Sequence, residues 1–182
     1  MCIRDRLYLL GGLDRPTAGE IWVSGREIVG LDENDLATYR GREIGFIFQA
    51  FHLVATMTAL QNVEFPMIFN RIPPATRHAR ARALLERVGL GDRLHHHPTE
   101  LSGGQQQRVA IARALANEPR IILADEPTGN LDSHTGQEVL EVLTDFNRNE
   151  GYTIIIVSHD PSVTRYATRD IHLLDGKVIR DL

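Results

Sequence analysis

The amino-acid sequence predicts an α/β protein with a parallel sheet at its core, a small antiparallel β element and a helical segment. Three observations carry that prediction. Ile121-Ile122-Leu123-Ala124 and Thr153-Ile154-Ile155-Ile156-Val157 are short apolar runs, as strands buried on both faces produce. A helix-forming stretch lies between them, and a right-handed βαβ crossover places the C-terminal ends of both strands on one rim. Upstream, two helix-like runs follow one another with Pro73-Pro74 in the short connection between them.

The totals narrow the classes. With 182 residues the chain is long enough for one domain with a real core. Hydrophobic residues at 42% and charged residues at 24% are ordinary for a globular protein. A net charge of −4 gives no reason to expect nucleic acid as a partner. The single cysteine, Cys2, excludes an internal disulfide and cysteine-based metal cages. No apolar run approaches bilayer length, and the stretch after Arg4-Asp5-Arg6 is too short for a secretory signal, so a cytosolic location is expected.

From the start of the chain, Met-Cys-Ile-Arg-Asp-Arg matches no structural pattern. Leu7-Tyr8-Leu9-Leu10 reads as a helix end closed by Gly11-Gly12. Residues 13–19 form a turn region. Residues 20–23 and 27–29 are short β runs about a Ser24-Gly25 turn, with Trp22 expected in the core. Residues 32–39 are a short helix with a polar start. Ile44-Gly45-Phe46-Ile47-Phe48 is a strand that ends at Gln49, whose amide is either a plain surface group or a functional one. Residues 50–58 are expected to be a loop that exposes Phe51, Leu53 and Val54 at a partner surface. Residues 59–70 and 76–88 read as helices; Phe65, Met67, Ile68 and Phe69 are read as core in preference to a groove for a partner's helix. His95-His96-His97 invites a metal reading, but consecutive side chains diverge, no cysteine or spaced carboxylate joins them and Pro98 follows, so a solvated turn is expected.

Two phosphate-handling devices then appear, joined by one helix. In Leu101-Ser102-Gly103-Gly104-Gln105, small residues open a helix over residues 105–116, whose free amides and partial positive charge attract phosphate; Ser102 adds a hydroxyl at the cap. Arg108 and Arg113 on that helix are expected to be solvated or ion-paired rather than phosphate-facing. In Ile121-Ile122-Leu123-Ala124-Asp125-Glu126, two carboxylates end a buried strand, where open sheets bind ligands. An Asp there can hold a magnesium ion through oxygen, and a neighbouring Glu can orient or deprotonate water. Either device alone could be a turn or a solvated strand end. In this order, one helix apart, they point to phosphate chemistry. Ser133 is expected to cap a helix that runs to Leu143. His159 follows the next strand, and the βαβ geometry brings it to the rim of Asp125 and Glu126. Ile171-His172-Leu173-Leu174 and Lys177-Val178-Ile179 flank Asp175-Gly176, a strong hairpin signal.

These residues resemble the ATP-binding cassette (ABC) ATPases. LSGGQQQR is similar to their signature motif, IILADEP to their Walker B strand with its catalytic glutamate, and GNLDS to their D-loop. Within the family the sequence looks like the lipoprotein-releasing and macrolide-export type of subunit. The resemblance implies a P-loop NTPase-like, RecA-like parallel core over residues 1–49 and 117–182, with an antiparallel β remnant. It also implies a helical subdomain over residues 50–116, all within one domain spanning 1–182. There is one departure. The family's Walker A loop, Gly-x-x-x-x-Gly-Lys-Ser/Thr, opens the helix that LLGGL ends; counting back puts Ile3 at the lysine and Arg4 at the magnesium-binding Ser/Thr, and neither does that job. The preceding strand and the adenine-stacking aromatic are missing from the sequence as well. A near-complete C-terminus and a truncated N-terminus are therefore expected, in preference to a subunit with no P-loop of its own.

The resemblance also implies roles. ATP and Mg²⁺ are the cofactors of such a site. Glu126 polarises water, His159 stabilises the transferring phosphoryl group, and Gln49 is the Q-loop glutamine near the metal and the water. Asp125 holds Mg²⁺ with Gln49. Ser102, Gly103, Gly104, Gln105 and Asp132 belong to the nucleotide contacts, with Ser102-Gly103-Gly104 cradling the γ-phosphate of a partner's ATP. The implied partners are a second ABC ATPase in a head-to-tail dimer and a transmembrane permease, with the chain peripheral on the cytoplasmic side of the membrane. By family the chain is an ATPase, but without its P-loop it is expected to be inactive alone. The alternative is a non-hydrolysing partner that lends its signature helix to an intact ATPase. A DNA-repair or translation cassette is disfavoured, since the sequence has neither a coiled-coil insertion nor a basic face.

Overall fold

The computed structural model describes residues 3–182; Met1 and Cys2, and the expectations attached to Cys2, lie outside the described residues. Its centre is a three-stranded parallel sheet of β3 (Ile44–Phe48), β4 (Ile121–Asp125) and β5 (Thr153–Val157), with β4 in the middle. The register runs Ile44, Ile121, Thr153 at one end and Phe48, Asp125, Val157 at the other, so all three strands end on one rim.

Strand periodicity sorts the side chains into two cores. Ile47, Ile122, Ala124, Ile154 and Ile156 join one cluster, with α3 (Ala59–Phe69), α4 (Pro74–Arg87), α5 (Gly103–Leu115) and α6 (Ser133–Glu150). Ile44, Leu123 and Val157 join the other, with α1 (Ile3–Leu10) and α2 (Glu33–Glu43). Ile122, Leu123 and Ala124 are fully buried, as a central strand covered on both faces must be. The approach of α5 to β3 is close: a Cβ on Gly45 would lie 2.5 Å from the Ala114 carbonyl oxygen, so only glycine fits.

Helix α1 reaches back to Ile3, through the run that had matched no pattern. It ends in a Schellman turn: the Leu13 N–H donates to the Tyr8 carbonyl at 2.9 Å and the Gly12 N–H to Leu9 at 3.1 Å, with Gly12 at φ +62. The Tyr39 hydroxyl donates to the Leu10 carbonyl at 2.7 Å and pins that end to α2. Burial, reinforced by Glu43, pushes the Tyr39 phenol up to about 12.

Two antiparallel hairpins complete the fold. β1 (Trp22–Val23) and β2 (Arg26–Glu27) are shorter than expected; β6 (Ile171–Leu174) and β7 (Lys177–Asp181) turn at Asp175 and Gly176, both at positive φ. Trp22 is not core: Ile21 and Val23 face inward, so the alternation turns the Trp22 ring outward, 61% exposed, with its N–H on Glu20. Ile68 and Phe69 are also exposed, because the buried stripe of α3 runs through Leu60, Val63 and Met67 and leaves them to one side. Helix α6 is capped by Asp132 rather than Ser133, and it continues past Leu143 to Glu150 because its apolar stripe continues to Phe146. Among the described residues, no helix is long and apolar enough to cross a membrane.

Candidate functional site

The common rim delivers three chain segments to one place. Asp125 ends β4 with 4% exposure, and its carboxylate takes the Arg4 Nε at 2.9 Å on Oδ1 and 2.7 Å on Oδ2. The Tyr8 hydroxyl lies 3.4 Å from Oδ2; burial, and then the Asp125 charge, pushes that phenol up. Glu126 comes next, 7% exposed and at φ +47, in the left-handed region that costs a side chain about 1–2 kcal/mol. Its N–H still donates across to the Val157 carbonyl at 2.9 Å. That unusual backbone turns the carboxylate towards the end of β5. There the Ser158 hydroxyl donates to Oε2 at 3.1 Å, the His159 N–H donates to Oε1 at 3.1 Å, and His159 Nδ1 lies 2.6 Å from Oε1. The imidazole itself is 84% exposed, free to reach a ligand beyond the rim.

Gln49 leaves β3 beside this pair but faces the segment after Glu126. Its Nε2 donates to Asn130 Oδ1 at 3.2 Å, and Asn130 Nδ2 donates to the Gln49 carbonyl at 2.9 Å. Oxygen donors such as Asp125 and Gln49 suit Mg²⁺ chemically. Their arrangement here does not fit a shared ion: Arg4 takes both Asp125 oxygens, and the Gln49 amide is turned to Asn130. Among the described residues, no group of three or more His, Cys, Asp and Glu is placed to hold a metal.

The second device lies at the start of α5. Ser102 is the N-cap: its Oγ accepts the Gln105 N–H at 3.3 Å while Gln105 Oε1 accepts the Ser102 N–H at 2.9 Å. The Gln105 carbonyl is therefore spent inside the cap, whereas the Gly103 and Gly104 amides precede the first helical bond. The glycines are set by packing. A Cβ on Gly104 would lie 2.1 Å from Thr135 Cγ2, and one on Gly103 would lie 3.3 Å from Leu131. Asp132 caps α6, taking the His134 and Thr135 N–H groups at 3.1 Å each; the bonds from Thr135 hold its carboxyl below the ordinary range.

The structure thus joins Glu126 with His159, sets Gln49 beside Asn130, and packs Gly103 against Leu131 and Gly104 against Thr135. Sequence reading missed three residues here: Ser158, Asn130 and Gln107. Gln107 is wholly buried, and its Nε2 donates to the Pro127 carbonyl at 2.7 Å, tying α5 to the turn after Glu126. Their one sequence signal is adjacency, since Ser158 and Asn130 flank residues already singled out and Gln107 sits in the signature run.

Comparison with known proteins finds a matching family and several relatives. The ABC transporter family profile matches residues 7–129. An uncharacterized ABC transporter ATP-binding protein of Methanocaldococcus jannaschii is 54% identical over 173 residues, covering 95% of this chain and 77% of that protein. The macrolide export ATP-binding/permease protein MacB 1/2 of Paracoccus denitrificans is 54% identical over 175 residues; the match covers 96% of this chain but only 26% of that protein. Among solved structures, the dimeric post-hydrolysis state of the ATP-binding cassette MJ0796 bound to ADP and Pi superposes with a TM-score of 0.88 at 44% identity, covering 98% of this chain and 79% of that one.

Proposed function

The chain belongs to the ABC transporter family, and on that premise we propose that it is an ATP-binding and ATP-hydrolysing subunit of an export-type transporter. The observation that carries the reading is the buried Glu126 carboxylate, turned by its left-handed backbone onto Ser158 and His159 at the rim where parallel sheets take ligands. The MacB-type relative is an ATP-binding/permease protein, which supports a transmembrane permease as partner and a peripheral place on the cytoplasmic face of the membrane. The dimeric cassette with ADP and Pi supports ATP as the nucleotide and a second cassette as the head-to-tail partner.

In that pairing the outward amides of Gly103 and Gly104 and the Ser102 hydroxyl meet the γ-phosphate of ATP held by the facing subunit. Gln105 and Asp132 shape this contact by capping α5 and α6. At the rim, Glu126 orients the attacking water and accepts its proton, and the exposed His159 ring stabilises the charge on the transferring group. Such sites act by positioning and preorganised charge, and one well-placed donor is worth about 10²–10³ in rate. Arg4 holds the Asp125 carboxylate, so in this arrangement that carboxylate is not open to Mg²⁺.

That same contact favours a second reading, in which the chain lends its α5 to an intact cassette. Arg4 covers Asp125, so this rim holds its own carboxylate closed. The test is phosphate release from ATP by the purified chain, alone and mixed with a cassette that has its P-loop but carries an inactivated signature. No turnover alone and restored turnover in the mixture support the reading. Multiple turnovers by the chain alone would overturn its lending role.

A further inference from the structure

Arg113 was expected to be solvated or ion-paired; it is half-buried, and its fork is bound to backbone carbonyls instead of a carboxylate. Arg108 is the one that meets a carboxylate, 3.9 Å from Glu138. Arg113 sits in the last turn of α5, and among the described residues no carboxylate pairs with it. Its Nη2 donates to the Phe51 carbonyl at 2.7 Å and its Nη1 to the His52 carbonyl. Burial pushes its guanidinium down, consistent with a cation held in protein rather than in water.

The carbonyls it holds belong to a strained turn. Phe51 and His52 stand at φ +57 and +50, a left-handed pair that non-glycine residues adopt only when the surroundings impose it. The rest of the segment is fastened from another side. Asn62, 1% exposed on α3, accepts the Val54 N–H at 2.8 Å and donates to the Val54, Met57 and Thr58 carbonyls. The Phe51 ring also reaches the start of α5, 3.8 Å from where a Gly103 Cβ would be. Phe51, Leu53 and Val54 are accordingly half-buried, and His52 is the exposed residue.

We propose that Arg113 is a positioning residue: its planar fork locks the turn after Gln49 onto α5, the helix whose first turn carries Ser102, Gly103 and Gly104. A lysine cannot replace it, since one ammonium does not span two adjacent carbonyls with fixed geometry. The meaning of this strut rests on reading Gln49 as part of this chain's own nucleotide site and Ser102 as part of the site completed on the facing subunit's nucleotide. The strut itself is measured without hydrolysis, so its failure and the failure of that reading are separable.

The experiment is amide hydrogen exchange on the full chain, with Arg113→Met and Arg113→Lys. In Arg113→Met the Phe51, His52 and Val54 amides exchange at least about tenfold faster while Ala110 to Leu115 on α5 keep their protection. Arg113→Lys gives a smaller, equally local acceleration, and it decides the matter alone if the Met variant does not fold. Unchanged exchange at 51–54 overturns the proposal. So does a uniform rise along α5, which would mean general loss of packing, or full protection in Arg113→Lys, which would mean that charge alone suffices.

Discussion

The rim at Asp125 and Glu126 and the start of α5 treat their polar groups in opposite ways. At the rim each carboxylate oxygen is engaged within the chain: Arg4 and Tyr8 meet Asp125, and Ser158 and His159 meet Glu126. At the start of α5 the cap satisfies Ser102 and Gln105, while two glycine amides stay ahead of the helix, held in place by contacts with Leu131 and Thr135. The first region is closed by hydrogen bonds and the second is shaped by packing. Under the proposed composite site, those two amides are the donors left for a phosphate held by the facing subunit.

The contrast breaks first at Arg4. Arg4→Met strands a carboxylate whose side chain is 6% exposed, and unfolding by denaturant should report a loss of about 3 kcal/mol. That is the low end for breaking a buried pair, because Arg4 itself is 45% exposed and water screens it. An unchanged midpoint would mean that the rim does not depend on its internal partner.

At the other region the test is steric. Gly104→Ala places a methyl against Thr135 and should cost about 2 kcal/mol, as overpacking does. Thr135→Ser removes the opposing methyl, so the double variant should recover most of the loss in thermal unfolding. Failure of that rescue would show that backbone freedom, not space, selects the glycine.

The smallest effect sharpens how α1, the carrier of Arg4, is anchored. The Tyr39 phenol is raised to about 12 in the folded state, so its contribution is fully present below the unfolded value, about 10, and is lost as pH rises through 12. Tyr39→Phe should flatten the stability–pH curve between about 10 and about 12 and leave that curve's shape unchanged at neutral pH. An unaltered alkaline limb would place the titrating group elsewhere.

What could be read from sequence depended on the range of the interaction. β4, β5 and the Asp175-Gly176 turn follow from apolar runs and turn chemistry within a few residues, and they were legible. So was the place of His159 on the rim of Glu126, because a βαβ crossover makes the two strands parallel; the hydrogen bonds between them were not. Gln49 with Asn130, 81 residues apart, and Arg113 with Phe51, 62 apart, are tertiary bonds that no local pattern encodes. Trp22 and Phe69 were misread for a related reason: an apolar residue type does not say which side of a short strand or helix faces the core. Ser133 lost the cap of α6 to Asp132 because both residue types cap well and only geometry chooses between them.

The most direct test of the composite-site account is phosphate release by the mixed dimer when this chain alone carries Ser102→Arg. A bulky guanidinium at the cap blocks the approach of the facing subunit's γ-phosphate without touching the rim. The account predicts that turnover restored by mixing falls by about 10²-fold or more while the two chains remain soluble and folded. Undiminished turnover in the Ser102→Arg mixture would contradict it, since the start of α5 would then contribute nothing to the partner's nucleotide.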